Sequence, residues 1–343
     1  MLSLRKFALI LSTVVLVLLS ACKTYDFFTI TVLEPAEIAL PAGLKRIVIT
    51  HNLYRLPGDT TGTFYSLLQQ VKQDTTYLYD EIATESIYSL HDLLNSSGRF
   101  EAIINDSIHF HFPRSVNDFT LNDVDVIRQV CQQNNADAVI LLNNLGTFDK
   151  YNVLTDDLGG YYGEFEVILT SSWLFINPFS AKLNDSKLIT DTSYYQTDPW
   201  HFDDIIKEFD FRKEVLLKSA SHAGIRYGKR ISPYWTETER LVFKNGSKEI
   251  VKGYKSSQQG NWTGAVSYWQ KALTDPQLLN QSKAAFNLGL AGEMDGSLDP
   301  AIGWVKRSVD IFPDTINKIY LQILEKRLIQ QDDIFYQMEG IKK

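Results

Sequence analysis

From residue 46 onward the chain switches between two hydrophobic periods, and the switches mark out its elements. Arg46-Ile47-Val48-Ile49-Thr50 is a compact β-branched run and reads as a first core strand. Pro57 to Thr63 is rich in Gly, Thr and Pro and reads as a loop. From about Tyr65 to Asn95 the period is helical, with Ala83, Ile87, Leu90 and Leu94 on one stripe. Ser97-Gly98 stops that helix, and Phe100 to Ile104 gives a second strand. Thr120 with Asp123 fits a capping box ahead of a stripe of Val124, Ile127 and Cys131, and Asn134-Asn135 ends that helix. Ala136 to Leu142 is then almost unbroken in apolar character, as in a strand covered on both faces. Residues 161–177 and 187–195 alternate as two longer strands with a turn at Asn184-Asp185. A helix from about Phe211 to Arg230 closes the unit before Ser232-Pro233-Tyr234-Trp235. Strand, helix, strand, helix, strand predicts a mainly parallel sheet with flanking helices.

Beyond residue 236 the pattern turns helical and repeats. Gly260-Asn261-Trp262-Thr263-Gly264-Ala265 and Gly296-Ser297-Leu298-Asp299-Pro300-Ala301 are 36 residues apart, close to the TPR period of about 34. The same offset pairs Ala272 with Ser308 and Leu273 with Val309, while Trp269 and Trp304 are one position out of register. Ala265, Ala272, Gly289 and Ala301 let helices approach closely, and Trp262, Tyr268 and Trp269 fill the space between. Ser247–Gln258 reads as a capping helix; Ala285 to Glu293 and Asp314 to Leu328 read as the second helices of two repeats. Two repeats fall short of the three or more needed for independent stability, so this region is expected to pack on the α/β body. The predicted fold class is a mixed, mainly parallel α/β domain followed by an all-α TPR-like helical-repeat domain. TPR-like grooves take extended peptides, which makes Trp262, Tyr268, Trp269, Asn287 and Trp304 the candidate protein-binding residues; at two repeats, a purely structural cap is the equal alternative.

The amino terminus follows another logic. Arg5 and Lys6 precede an apolar run, Phe7 to Ala21, of 15 residues that includes Ser12, Thr13 and Ser20. That is short of the ~20 a spanning helix needs. An ordinary secretory cut after Ala21 wants a small residue at the third position before it, and Leu19 stands there. Leu19-Ser20-Ala21-Cys22 instead fits a bacterial lipoprotein signal, cleaved between Ala21 and Cys22, with Cys22 acylated (palmitate-type chains). Lys23 follows, with no acidic residue before Asp26, as in lipoproteins sorted to the outer membrane of a Gram-negative cell; periplasmic and surface faces are both compatible. The divisions are then 1–21 signal peptide, 22–45 lipidated terminus and tether with a strand near Phe28–Leu33, 46–235 α/β domain and 236–343 helical domain.

Removing residues 1–21 takes the formal charge from −7 to −9 and leaves 322 of 343 residues. An acidic body without a basic cluster argues against nucleic acid as a partner. Cys131 is the one cysteine besides Cys22, so no intramolecular disulfide is expected, and its apolar stripe makes it a buried core residue. No G-x-S-x-G, H-E-x-x-H, C-x-x-C or EF-hand pattern occurs. Gly224-Ile225-Arg226-Tyr227-Gly228-Lys229 imitates a P-loop but has three residues between its glycines and Arg230 where Ser or Thr should hold Mg²⁺. His109 and His111 share one face of a short alternating run, the wet face of an edge strand rather than a metal site. Asp156-Asp157 and Asp203-Asp204 have no evident partner, and Gly159 to Gly163 reads as a turn. No metal, cofactor or catalytic residue is assigned.

Arg46–Thr50, Gly98-Arg99-Phe100-Glu101-Ala102-Ile103-Ile104 and Asn135-Ala136-Asp137-Ala138-Val139-Ile140 are similar to segments of the N-terminal-type domains of TolB and the curli secretion channel. The similarity covers roughly residues 46–195 and marks strand starts. Taken with the lipoprotein signal and the helical tail, the chain resembles a family of uncharacterised bacterial lipoproteins with a C-terminal TPR-like region. The resemblance implies location and architecture, not a reaction. The expected role is a non-enzymatic, outer-membrane-anchored protein-binding or assembly scaffold, whose partners are the membrane and an envelope protein. The rival is an envelope hydrolase or small-ligand sensor with a site at the C-terminal edge of the parallel strands, near Asn143, Asn144 and Asp156–Gly163. Pore formation is disfavoured, because no spanning hairpins with apolar lipid-facing positions are evident.

Overall fold

The computed structural model describes residues 24–41, 43–53, 63–67, 70–73, 79–105, 121–179, 182–196 and 212–339. In chain order these form β1 (Tyr25–Glu34), β2 (Arg46–His51), β3 (Thr63–Leu67), β4 (Gln70–Gln73), α1 (Tyr79–Ser96), β5 (Glu101–Ile104), α2 (Leu121–Asn134), β6 (Ala138–Thr155), β7 (Tyr161–Asn177), β8 (Lys182–Gln196), α3 (Arg212–Ile231) and β9 (Tyr234–Phe243). Five helices follow: α4 (Lys248–Gln258), α5 (Trp262–Ala272), α6 (Leu278–Met294), α7 (Leu298–Ile311) and α8 (Thr315–Glu339). Two compact units result. An α/β unit holds Leu33–Trp235 and the chain from Asp333, and a helical unit holds β1 as far as Val32 together with Thr236–Asp332. Among the described residues no helix is long and apolar enough to cross a membrane.

In the α/β unit, β2 lies between β5 and β6, parallel to both, with Ile47 opposite Ala102 on one side and Ala138 on the other. Alternation along β2 splits the core in two. Ile47 and Ile49 join Ile140, Leu142, Trp173 and Phe175 against α1 and α3, while Val48 joins Val139, Leu141, Leu174 and Ile176 against Ile127, Val130 and Cys131 of α2. This two-sided burial accounts for the unbroken apolar run at Ala138 to Leu142.

The sheet is mixed rather than mainly parallel. β6 runs 18 residues, well past the expected end at Leu142. Its later part pairs in parallel with β3, which forms an antiparallel hairpin with β4, and its other edge pairs antiparallel with β7, itself antiparallel to β8. The strand continues because Leu145, Thr147, Asp149 and Tyr151 keep the period of two on its covered face. The helix expected from Tyr65 begins only at Tyr79, since Thr63–Leu67 is taken up by the free edge of β6 beyond β2. Asn184-Asp185 lies inside β8 instead of at a turn. A bulge between Phe175 and Ile176 shifts the register there, and buried Asp185 takes a two-pronged contact from Arg230, Nε at 3.0 Å and Nη2 at 2.8 Å.

The segment expected as a tether contains β1, which pairs with β9 in a two-stranded sheet. β9 corrects the expectation of an all-helical region from residue 236: Tyr234–Arg240 alternates cleanly and pairs as a strand. In the helical unit Phe243, Phe286, Tyr320 and Leu324 form one apolar cluster, and Val242, Ala265, Trp269, Leu288 and Leu290 another. The 36-residue sequence repeat is a repeat of turns: Gly260 and Gly296 both take left-handed backbone, φ 75° and 78°, just before α5 and α7. Asn261 then caps α5, its side chain accepting the Gly264 N–H at 2.9 Å.

Candidate functional site

The five aromatic and polar residues expected to line a peptide groove have different fates. Trp269 is fully buried, with its indole against Gly253, where a Cβ would come within 2.9 Å of Cε2. Asn287 is also fully buried. It accepts the Phe243 N–H at 2.9 Å and donates to the Phe243 carbonyl at 2.8 Å, tying the end of β9 to α6. Neither offers a surface to a ligand, because packing and backbone pairing already use them. Trp262, Tyr268 and Trp304 are half-buried. The chain supplies Trp262 with its own extended partner, Phe28 of β1, at 5.2 Å between ring centroids. Tyr268 is flanked by two ammonium groups, Lys252 of α4 at 5.5 Å and Lys271 of α5 at 5.8 Å from its ring centre, and Arg307 lies 5.4 Å from that of Trp304. Each of these two half-exposed aromatic faces therefore has a cation beside it.

The strongest electrostatic centre of the helical unit was not singled out from sequence. Glu293 is buried near the end of α6 and accepts both oxygens' worth of contact from Arg240 Nε, at 3.1 and 3.0 Å. The Tyr320 hydroxyl donates to it at 2.7 Å and Arg327 pairs with it as well. Burial, with Glu293 beside it, pushes the Tyr320 hydroxyl well above its ordinary range. A lone acidic residue in the otherwise apolar stretch Leu288–Met294 was the available signal. Every partner is satisfied within the unit, so the cluster braces α6, α8 and β9.

In the α/β unit the expected sheet-edge site does not assemble. Asn143 is buried in mid-strand, within 3.4 Å of Asn52, while Asn144 beside it is exposed. Asp156 shapes the β6–β7 turn: its Oδ1 accepts the Leu158 and Gly160 N–H groups at 2.9 and 2.7 Å. Gly159 there is left-handed, φ 82°. The glycines of the P-loop-like stretch serve helix packing. Gly224 faces the Ser86 carbonyl of α1 and Gly228 faces Leu93 and Leu90. Cys131 is buried and its thiol is pushed up to about 12, first by desolvation and then by Asp137, which makes it inert. Cys22, His109, His111, Asp203 and Asp204 lie outside the described residues.

A cleft of about 340 Å³ opens between β8 and α3, lined by Asp191, Thr192, Ser193, His222, Arg226 and Lys229 with Ile225. Arg226 pairs with Asp191 and Lys229 lies 4.7 Å from the Tyr234 ring centre. His222, Arg226 and Lys229 follow i, i+4, i+7, so one face of α3 carries all three. The lining of the cleft thus sets Arg226, Lys229 and His222 against one carboxylate, Asp191.

The family model described as Domain of unknown function (DUF8603) matches residues 44–243, and that described as Domain of unknown function (DUF6340) matches residues 251–326. No curated protein matches the chain. Among solved structures, the PelC dodecamer from Paraburkholderia phytofirmans is similar at 10% identity over 60% of this chain and 98% of that one, with a TM-score of 0.26. The rare lipoprotein B from Shewanella oneidensis is similar at 20% identity over 32% of this chain and 85% of that one, with a TM-score of 0.17. Likenesses at that level say nothing about what this chain does. The first family model spans more than half of the chain, from the residues just before β2 to the end of β9, and the chain therefore belongs to the DUF8603 family.

Proposed function

We propose that this chain is an acyl-anchored scaffold of a Gram-negative outer membrane that holds a protein partner on a TPR-like helical unit and catalyses no reaction. Leu19-Ser20-Ala21-Cys22 supports the anchor. One acyl chain holds weakly, whereas the two or three of a bacterial lipoprotein cysteine hold essentially permanently. The observation that carries the binding role is Tyr268, half-exposed between Lys252 and Lys271. An aromatic face framed by ammonium groups favours an acidic segment. The half-exposed Trp304 with Arg307 adds a second such contact. Pull-down of the intact lipoprotein in mild detergent at low salt tests this. A stoichiometric envelope partner should be retained and should be lost with the double substitution Lys252→Glu, Lys271→Glu, but kept with Lys318→Glu on exposed α8 surface. Retention that ignores the charge of residues 252 and 271 would refute the reading.

The cleft beside His222, Arg226 and Lys229 favours a second reading, a sensor for a small anion. Titration calorimetry of the full chain with inorganic phosphate, against chloride at matched ionic strength, checks it. Binding should be abolished by Lys229→Gln; absence of heat with the unaltered protein dismisses it.

A further inference from the structure

We infer that the end of the helical unit where β1 begins rests on the bilayer, with Tyr25 and Phe27 at headgroup level and Lys244 and Lys283 facing anionic lipid. The inference rests on the acylation of Cys22 proposed above and adds an orientation to it. Three residue steps separate Cys22 from Tyr25, the first residue of β1. A fully extended chain gains at most ~3.6 Å per residue, so the Cα of Tyr25 can lie no more than about 11 Å from the Cα of the acylated cysteine. The headgroup layer on one side of a bilayer is about 5–8 Å deep, from a hydrocarbon core of ~30 Å inside a total of ~40–45 Å. The strand therefore starts in that layer or just outside it, and the rigid unit built around it follows.

The side chains at that end suit such a surface. Tyr25 and Phe27 pack edge to face at 5.8 Å between ring centroids, and Phe27 stays 50% exposed. Aromatic rings favour the membrane interface. The Lys244 N–H donates to the Thr24 carbonyl at 3.2 Å, which places Lys244 beside the start of the strand. Its ammonium reaches Asp26 at 3.6 Å. Lys283 donates to the carbonyl of the next residue, Asn245, at 3.0 Å. Two lysines beside one carboxylate leave this rim net positive, and lysines close to a membrane are drawn to anionic headgroups. The acyl chains hold the protein; the rim sets how it stands.

The test uses the full-length protein, isolated from membranes and reconstituted into phosphatidylethanolamine–phosphatidylglycerol vesicles. A fluorophore is placed through Phe27→Cys, Lys244→Cys or Glu237→Cys, the last an exposed position on β9. Cys131 is buried and an acylated Cys22 is blocked, so the label goes to the new thiol. Glu237 is seven residues from Lys244, about 23 Å along the strand at ~3.3 Å per residue. Spin-labelled lipid should quench positions 27 and 244 several-fold more strongly than 237. Equal quenching at all three, in protein that floats with the vesicles and carries the acyl mass on Cys22, overturns the orientation and leaves the anchor standing. Absence of the acyl mass removes the short tether and overturns both. Two independent positions keep the result readable if one variant folds poorly.

Discussion

Replacing Gly224 by Ala should destabilise the α/β unit, although the same change usually stabilises a helix. Gly224 lies within α3, where Ala is favoured over Gly by about 1 kcal/mol. Here, however, a Cβ would sit well inside 3.0 Å of the Ser86 carbonyl oxygen and at 3.0 Å from the Leu90 nitrogen. Both are backbone atoms of α1 and cannot rotate away. The two helices are also pinned at this crossing, because Ser86 Oγ donates to the Ala220 carbonyl at 3.0 Å and Ser89 Oγ to Ser221 Oγ at 2.8 Å. The helices must separate, and overpacking of this kind costs typically ~1–3 kcal/mol. With a backbone obstacle the upper part of that range applies, for a net loss of about 1–2 kcal/mol after the propensity gain. In a unit of this size each kcal/mol moves the midpoint by roughly 2–4 °C, so calorimetry should show a drop of about 2–8 °C. Gly303→Ala is the matched comparison: it lies within α7 with nothing within 4 Å of its added Cβ, and should stabilise the helical unit by about 0.5–1 kcal/mol. Equal or higher melting with Gly224→Ala would show that α1 and α3 do not pack as described.

Three further outcomes follow from the same geometry. Glu293→Ala should cost about 3–5 kcal/mol in denaturant unfolding, since it strands buried Arg240 without its partner; a loss under about 1 kcal/mol would contradict the burial of that pair. Tyr254 donates to Asp26 at 2.6 Å, a bond that raises the tyrosine from 10.0 to about 12 and lowers the carboxyl. Between pH 10 and about 12 the folded state keeps a proton that the unfolded state has lost, so stability present below pH 10 should drain away across that window and less steeply in Tyr254→Phe. The carboxyl works in the opposite direction: its contribution is present above its unfolded value of 3.8 and is lost as the pH falls through the lower folded value. Asp156→Ala should accelerate hydrogen exchange at the Leu158 and Gly160 amides, which its carboxylate holds, while global stability changes by less than about 1 kcal/mol because the turn is exposed.

Local pattern alone placed β2, β7, α2, α3, α4 and the burial of Cys131, because in each the apolar period matches the element; α6 and α8 were legible in part, since α6 starts at Leu278 rather than near Ala285 and α8 runs to Glu339 rather than Leu328. The proposal of an acylated Cys22 likewise rests on the order of residues Leu19-Ser20-Ala21-Cys22 alone. Tertiary structure decided what depends on a partner far away in sequence. Thr63–Leu67 is extended because β6 outruns β2 and leaves an edge to be paired. Asp185 is a strand residue because Arg230 neutralises it across 45 positions. Trp262 and Trp269 look alike in sequence, yet one retains a half-open face over Phe28 while the other is sealed against Gly253. Glu293 shows the same limit: a carboxylate in an apolar helix is legible as an oddity, but only the approach of Arg240, Arg327 and Tyr320 from two other elements makes its burial affordable.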